Sequence, residues 1–316
     1  MNVPIDVNKS NSLAIIILNW NGSDDTAACT SSVLRADHNP DDIIIVDNGS
    51  SDGSISIISK KFPQINNILG LDNNRGCAGG MNFGLRKAVE MGYQYALLLN
   101  NDTLIIQPGV IEAYLSALQI NDNVAVVSPC IVNNENGTGE QKDLIVDSKG
   151  LKQLGYRFLY PPYSGNWNRN IQRTENDLIL EEVLMLHGVA IAVKLKVLQE
   201  TGYFNDDFFC TEEDRDLMIR VRASGYKLLK IANYWIYHRW SGSAGKNSSF
   251  TIYYRTRNLW YMRNRYHSKR YIIFSYIKLF LVSIKNGQIK AFIKGLRDAF
   301  RGTRGKGIIH AEYEEK

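Results

Sequence analysis

Three runs in the first hundred residues carry apolar side chains without alternation, and each stops at asparagine or aspartate: Ala14–Leu18 before Asn19, Ile43–Val46 before Asp47, and Tyr95–Leu99 before Asn100-Asn101-Asp102. An apolar strand without alternation has no face for water, so it belongs in a parallel sheet covered by helices on both sides. The intervening segments supply those helices. Ser23 or Asp24 is placed to cap one reaching about Leu34, Ser51 or Asp52 one reaching about Lys61, and Asn74-Arg75-Gly76 leads into one running through Glu90. A weak strand near Asn67–Leu71, a helix opened by Pro108 and a strand at Val124–Ser128 continue the pattern. Strands alternating with helices define an α/β fold with a mostly parallel sheet. Ligands of such sheets bind outside the carboxyl ends of the strands, so Asp47 and Asp102 are expected on one functional edge.

Regularity is lost between Pro129 and Glu182, which reads either as an acceptor-side excursion or as a plain surface insertion. It returns with Val183–Leu186, Val189–Val193 and a helix through Glu200 that Gly202 closes. In Phe208–Leu217, Thr211 is a candidate cap with Glu212, Glu213 and Asp214 in the first helical turn. That placement serves helix stability, and it also offers Asp214 as a base. A strand at Lys227–Ile231 leads to Tyr237–Gly245, a donor-rich loop suited to phosphates. Asn100, Asn101 and Asp102 combine amide groups and a carboxylate, a set able to hold a hard divalent cation and a ribose or phosphate, or simply to form a turn.

Charge divides the chain. Residues 251–316 hold 15 Lys/Arg against 4 Asp/Glu, leaving 22 against 28 for the rest. From Tyr253 the sequence becomes helical. Ile289, Phe292, Ile293, Leu296, Ala299 and Phe300 recur at helical spacing among Lys290, Lys294, Arg297 and Arg301, which reads as a helix lying on anionic lipid or one packed on protein. The four widely spaced cysteines suggest neither a zinc site nor a disulfide scaffold and fit a reducing compartment. Leu13–Leu18 is too short for a signal-peptide core, and no apolar stretch reaches the length of a spanning helix. A cytoplasmic protein, peripheral on the membrane face, is the expectation.

Six segments together resemble the inverting family 2 glycosyltransferases, specifically a bacterial rhamnosyltransferase-like branch with the GT-A fold. They are Ile17–Gly22, Val46–Ser54, Asn73–Gly84, Leu99–Asp102, Glu213–Leu217, and His238 with Ser241-Gly242-Ser243. The resemblance covers about residues 13–260. It implies a GT-A domain over 1–250, with a nucleotide-binding half at about 13–128 and an acceptor half at about 129–250, followed by a basic helical extension at 251–316. It further implies that Asp47 reads the nucleotide base with Asn19 and Asn21 in the same pocket, and that Asp52 orders the loop. Asn74 and Gly76 would approach ribose and diphosphate. Asp102 corresponds to the last acid of the DxD metal motif, with Asn100 and Asn101 beside it. Asp214 corresponds to the general base, and His238 to a histidine that joins the metal. Asn100 replaces the first acid of the motif, so one formal charge is missing and weaker binding of Mg²⁺ or Mn²⁺ is expected.

The implied reaction moves a sugar from dTDP-rhamnose or a UDP-hexose to a saccharide or lipid-linked saccharide with inversion, in surface polysaccharide synthesis. The competing expectation is an inactive sugar-nucleotide or lipid-binding scaffold, which the presence of both Asp102 and Asp214 opposes. A dehydrogenase lacks its GxGxxG in the first βα turn, and an RNA-binding module lacks an aromatic RNP-like strand, so nucleic acid is not an expected partner. A homo-oligomer is compatible with the sequence.

Overall fold

The apolar runs form the centre of one sheet in a computed structural model of the chain, described here for residues 11–133, 157–159, 171–239, 248–266 and 269–307. Most of the 129–182 excursion and the 240–245 part of the donor-rich loop, with Ser241, Gly242 and Ser243, lie outside those residues. The described residues fall into two units. The first takes in residues 11–74, 80–203 and 217–239; the second takes in 75–79, 204–216 and the residues from 248 onward.

In chain order come strand β1 (Leu13–Asn19), helix α1 (Ser23–Arg35), β2 (Ile43–Asp47), α2 (Ser54–Lys61), β3 (Asn67–Gly70), α3 (Gly76–Glu90) and β4 (Tyr95–Asn100). Strands β3, β2, β1 and β4 lie side by side and parallel, which puts β1 between β2 and β4. Ile15 and Ile17 join Ala27, Cys29 and Val33 of α1 in the main core. Ile16 turns to the other face, toward α3, so closely that a Cβ on Gly84 would come within 2.5 Å of its Cγ2. Both faces of β1 are therefore dry, which is why its sequence shows no alternation.

Beyond β4 come β5 (Thr103–Leu104), α4 (Val110–Gln119), β6 (Val124–Asn133), β7 (Arg157–Leu159), β8 (Ile171–Arg173), β9 (Ile179–Val183), β10 (Ala190–Lys194), α5 (Leu195–Thr201), α6 (Glu213–Ala223) and β11 (Lys227–His238). Strand β10 lies between β4 and β6 and runs antiparallel to both, so the sheet is mixed. Its burial is as complete as that of the parallel strands, and an apolar run carries no mark of direction. Because β6 is parallel to β11, the end of β11 reaches the same sheet edge as the ends of β1, β2 and β4.

Several local expectations are corrected. Helices α1, α2 and α4 are preceded by Gly22, Gly53 and Gly109 with no side-chain cap; Ser23 sits inside its helix, and Pro108 precedes its own. Strand β11 runs on past Ile231 to His238 after a register shift before Trp235. At that irregularity Asn233 Nδ2 donates to the Asp177 carbonyl at 2.9 Å, and its Oδ1 accepts from Ile179 N–H at 2.9 Å. Thr211 is not a cap, since its φ is 66° and its hydroxyl has no hydrogen-bond partner among the described residues.

The second unit contains α7 (Ser249–Tyr266), α8 (Lys269–Lys285) and α9 (Ile289–Phe300). Phe209, Phe250, Tyr253, Tyr254, Leu279 and Phe292 belong to its own apolar core.

Candidate active site

Register brings the polar strand ends together. Asn19 stands opposite Asp47, and Leu18 opposite both Val46 and Asn100, at the reversal of strand order where open α/β sheets bind ligands. Asp47 is 4% exposed. Its Oδ1 accepts from Asn19 Nδ2 at 2.6 Å and from Ser50 Oγ at 2.6 Å, and its Oδ2 accepts from Ser50 N–H at 3.1 Å. Asn19 Oδ1 in turn accepts from Thr26 Oγ1 at 2.6 Å, which ties the network to α1. Asn21 closes the opposite side, its Oδ1 accepting from Ser51 N–H at 2.9 Å while its own N–H donates to Ser50 Oγ at 2.9 Å. Charge-assisted bonds of this kind are short and strong, so the two loops after β1 and β2 are fixed relative to each other. Gly49 is needed beside them: its φ is 70°, and an added Cβ would lie 2.7 Å from Asn74 N. Asn74 Oδ1 accepts from Asn48 Nδ2 at 3.1 Å. Asp52 orders the following turn by accepting from Ser54 N–H at 3.0 Å.

The end of β4 supplies a second polar group. Asn100 N–H donates to the Val189 carbonyl at 3.0 Å, and the Asn100 carbonyl accepts from Thr103 Oγ1 at 2.6 Å. Asn101 Nδ2 lies 3.1 Å from Thr26 Oγ1, so this amide is drawn toward α1. Asp102 is 6% exposed, and its Oδ1 lies 3.1 Å from Nε2 of His238, which is 7% exposed. Pairing of β5 with the end of β11 brings them together, with Thr103 opposite His238 and the Asp102 carbonyl accepting from Arg239 N–H at 2.8 Å. Beneath them, burial pushes the Cys29 thiol up to about 12; the Thr103 hydrogen bond opposes this, and the charge on Asp102 adds to it. Among the described residues no three His, Cys, Asp or Glu side chains gather as a metal site. One carboxylate and one imidazole suit a cation whose other positions are filled by substrate oxygens, as is usual for Mg²⁺ at phosphates.

Gly76 and Asp214 belong to the second unit. Gly76 has a φ of 74°, and an added Cβ would fall 2.2 Å from the Phe209 carbonyl oxygen, so only glycine fits there. Phe209, Thr211 and Glu212 adopt φ values of 62°, 66° and 72°, a left-handed run just before α6. Two residues of α7 hold it. Asn258 Nδ2 lies 2.9, 2.7 and 2.9 Å from the carbonyl oxygens of Phe208, Cys210 and Thr211. Arg257, fully buried, donates to the carbonyls of Phe208 at 3.0 Å, Asp207 at 3.2 Å and Gly305 at 2.7 Å, with its guanidinium 4.7 Å from the Tyr254 ring centroid. In the first turn of α6, Asp214 Oδ1 accepts from Arg215 N–H at 2.8 Å, and Arg215 pairs with Glu212. Burial, with Cys77, Asp214 and Glu212 alongside, raises Glu213 well above the usual carboxyl range. Its Oε2 is buried without a hydrogen-bond partner among the described residues. Glu213 was expected only as part of the first helical turn, and the Arg257-Asn258 clamp was not expected; its signal in the sequence is an adjacent Arg-Asn in an aromatic-rich helix.

Residues 14–202, more than half of the chain, match the profile described as glycosyl transferase family 2. The chain is 24% identical over 261 residues to the low-salt glycan biosynthesis hexosyltransferase Agl10 of Haloferax volcanii, covering 81% of this chain and 77% of that protein. A shorter likeness, 30% over 105 residues, links it to poly-beta-1,6-N-acetyl-D-glucosamine synthase of Staphylococcus aureus, of which it covers 24%. Among solved structures, S. aureus TarS 1–349 superposes with a TM-score of 0.56 at 13% identity over 92% of this chain and 81% of that one. The Pyrobaculum calidifontis mannosyltransferase PcManGT, in complex with GDP-Man and Mn²⁺, superposes with 0.54 at 16% identity over 98% and 81%. These structures share the GT-A architecture.

Proposed function

This chain belongs to glycosyl transferase family 2, and from that membership we propose that it transfers a sugar from a nucleoside-diphosphate donor to a saccharide or lipid-linked saccharide with inversion. The observation that carries the proposal is the meeting of Asp47 with Asn19, and of Asp102 with His238, at one edge of one sheet. In this reading Asn19, Asn21 and Asp47 receive the nucleoside, Asn74 and Gly76 approach the ribose and diphosphate, and Asn100 and Asn101 border the sugar phosphate. Asp102 and His238 would hold Mg²⁺ or Mn²⁺, and such a cation, when bound, would offset the charge that grows on the leaving diphosphate.

Asp214 takes the proton of the acceptor hydroxyl as that oxygen bonds to the anomeric carbon and the bond to the diphosphate breaks. A hydroxyl is a weak nucleophile while it keeps its proton, so the step needs a positioned carboxylate. dTDP-rhamnose and UDP-hexoses are the proposed donors, within synthesis of a surface polysaccharide. Support comes from Agl10 and from the GDP-Man and Mn²⁺ in the PcManGT structure.

The test is a panel of UDP-, GDP- and dTDP-sugars with Mn²⁺ or Mg²⁺, scored by thermal stabilisation and donor hydrolysis on the wild type, Asp102→Ala and Asp214→Asn. At least one nucleotide sugar should raise the melting temperature and be turned over by the wild type alone. If none stabilises the protein, the transferase reading is lost; stabilisation without turnover by the wild type points instead to a binding scaffold.

A further inference from the structure

The carboxyl-terminal helices expose an apolar face that the second unit does not use. In α8, Ile273, Phe274, Ile277 and Leu281 are 59%, 68%, 53% and 59% exposed. They recur three, four and seven residues apart with Ile284, also exposed, and so share one side of the helix. The opposite side is occupied, with Leu279 buried and Tyr276 and Val282 packed in the unit's core. Helix α9 is divided in the same way. Phe292 and Ala299 are buried, as in a helix packed on protein, while Ile293 and Phe300 stay exposed. Exposed apolar side chains are thus carried mainly by α8.

Charge distinguishes what can cover this face. Between residues 269 and 307 stand ten Lys/Arg and a single acid, Asp298. Asp298 is buried, and it accepts from Tyr253 Oη at 2.8 Å. No carboxylate in that segment is therefore available to the exposed surface. Lys278 and Lys285 are exposed and follow Phe274 and Leu281 by one helical turn, which lines the margin of the apolar face with cations. A second copy meeting this face with its own would bring like charge to like charge. An anionic bilayer supplies both the missing negative charge and an apolar layer for the side chains. Among the described residues no helix is long and apolar enough to cross a membrane, which fits a helix lying in the interface.

We propose that the exposed faces of α8 and α9 form a landing surface for an anionic lipid bilayer. Aromatic and aliphatic side chains enter the acyl boundary, and the lysines stay at the headgroups. This inference goes beyond sugar transfer and does not rest on it.

The test uses the full chain and vesicles of phosphatidylcholine with or without phosphatidylglycerol, read by co-sedimentation. The wild type should sediment with the anionic vesicles, and salt should weaken the association. Lys278→Glu with Lys285→Glu should lower the vesicle partition coefficient by more than about tenfold, each lysine near an anionic surface contributing on the order of fivefold. Phe274→Ser with Leu281→Ser should lower it at least about tenfold through lost apolar burial, with an unchanged circular dichroism spectrum and melting temperature because both side chains project into water. Absence of wild-type binding to anionic vesicles, or binding by either double variant equal to that of the wild type, overturns the proposal. A concentration-dependent dimer that the Phe274→Ser/Leu281→Ser change dissolves, with no vesicle binding by the wild type, would assign the face to a second copy instead.

Discussion

Glu213 and Asp214 are adjacent carboxyl groups in different surroundings. Asp214 accepts the Arg215 N–H, whereas Glu213 is buried with an oxygen that has no hydrogen-bond partner among the described residues. Burial first, then the nearby Cys77, Asp214 and Glu212, keeps the proton on Glu213 to higher pH than in a solvated carboxyl. Asp214, whose Oδ1 is held by the Arg215 N–H, is the proposed base, and the two neighbours are separated by experiment. Asp214→Asn should lower kcat by roughly 10²–10⁴-fold, the usual range for a lost general base, with little change in nucleotide affinity. Full transfer by this variant would remove the assignment. Glu213→Gln tests the neighbour through stability. In the unfolded chain Glu213 ionises near about 4.3, while in the folded chain it does so higher. Between the two values the native state binds more protons, so wild-type stability falls as pH rises through that window. Glutamine has no proton to lose. The Glu213→Gln melting temperature should therefore gain on the wild type as pH rises above about 4.3, then level off beyond the folded value. A constant difference from about pH 4 to about pH 8 would mean that Glu213 ionises alike in both states.

The segment before α6 shows how one element holds another. Three non-glycine residues at φ values of 62°, 66° and 72° each cost about 1–2 kcal/mol, so the loop needs outside support to persist. Asn258 supplies it through one amide nitrogen near three carbonyl oxygens, and Arg257 supplies the rest. Asn258→Ala should lower stability by about 1–3 kcal/mol, because the carbonyls it reaches lose a buried donor. Asn258→Asp should be worse, since it places a carboxylate among carbonyl oxygens. If the loop positions Asp214, kcat falls in both variants while the donor KM holds. Denaturation midpoints give the order of the two variants, and equal or reversed midpoints would refute the clamp. This element also marks a limit of reading from sequence. Strands β1, β2 and β4 were legible because burial on both faces leaves a continuous apolar run, and their ends were legible because Asp47 and Asp102 interrupt it. The clamp was not, because its acceptors are backbone carbonyls about fifty residues away, which leave no side-chain signature. The extension of β11 was hidden by the irregularity at Asn233, and the side-chain caps expected at Ser23 and Thr211 gave way to glycine and to left-handed backbone.

At the scale of the whole molecule, the proposed roles of Asp102 and His238 predict that metal binding and nucleotide binding are linked. Asp102 and His238 give one carboxylate and one imidazole, and Asn100 contributes no charge. Among the described residues no third acid, cysteine or histidine completes a metal cluster. A hard divalent cation prefers six or more oxygen ligands, and a diphosphate supplies both oxygens and charge. Each ligand that binds only the folded state stabilises it by RT ln(1 + [L]/Kd), so thermal melts report the linkage directly. Mn²⁺ alone should barely move the melting temperature, and the nucleoside diphosphate alone should move it modestly. Together they should raise it by more than the sum, because each strengthens the other's binding equally. Asp102→Ala should abolish that excess while keeping the shift from nucleotide alone. Asn100→Asp restores the missing charge and should raise the shift from Mn²⁺ alone. If Mn²⁺ alone stabilises the wild type as strongly as the ternary mixture does, the protein holds its cation without substrate, and the shared-metal account fails.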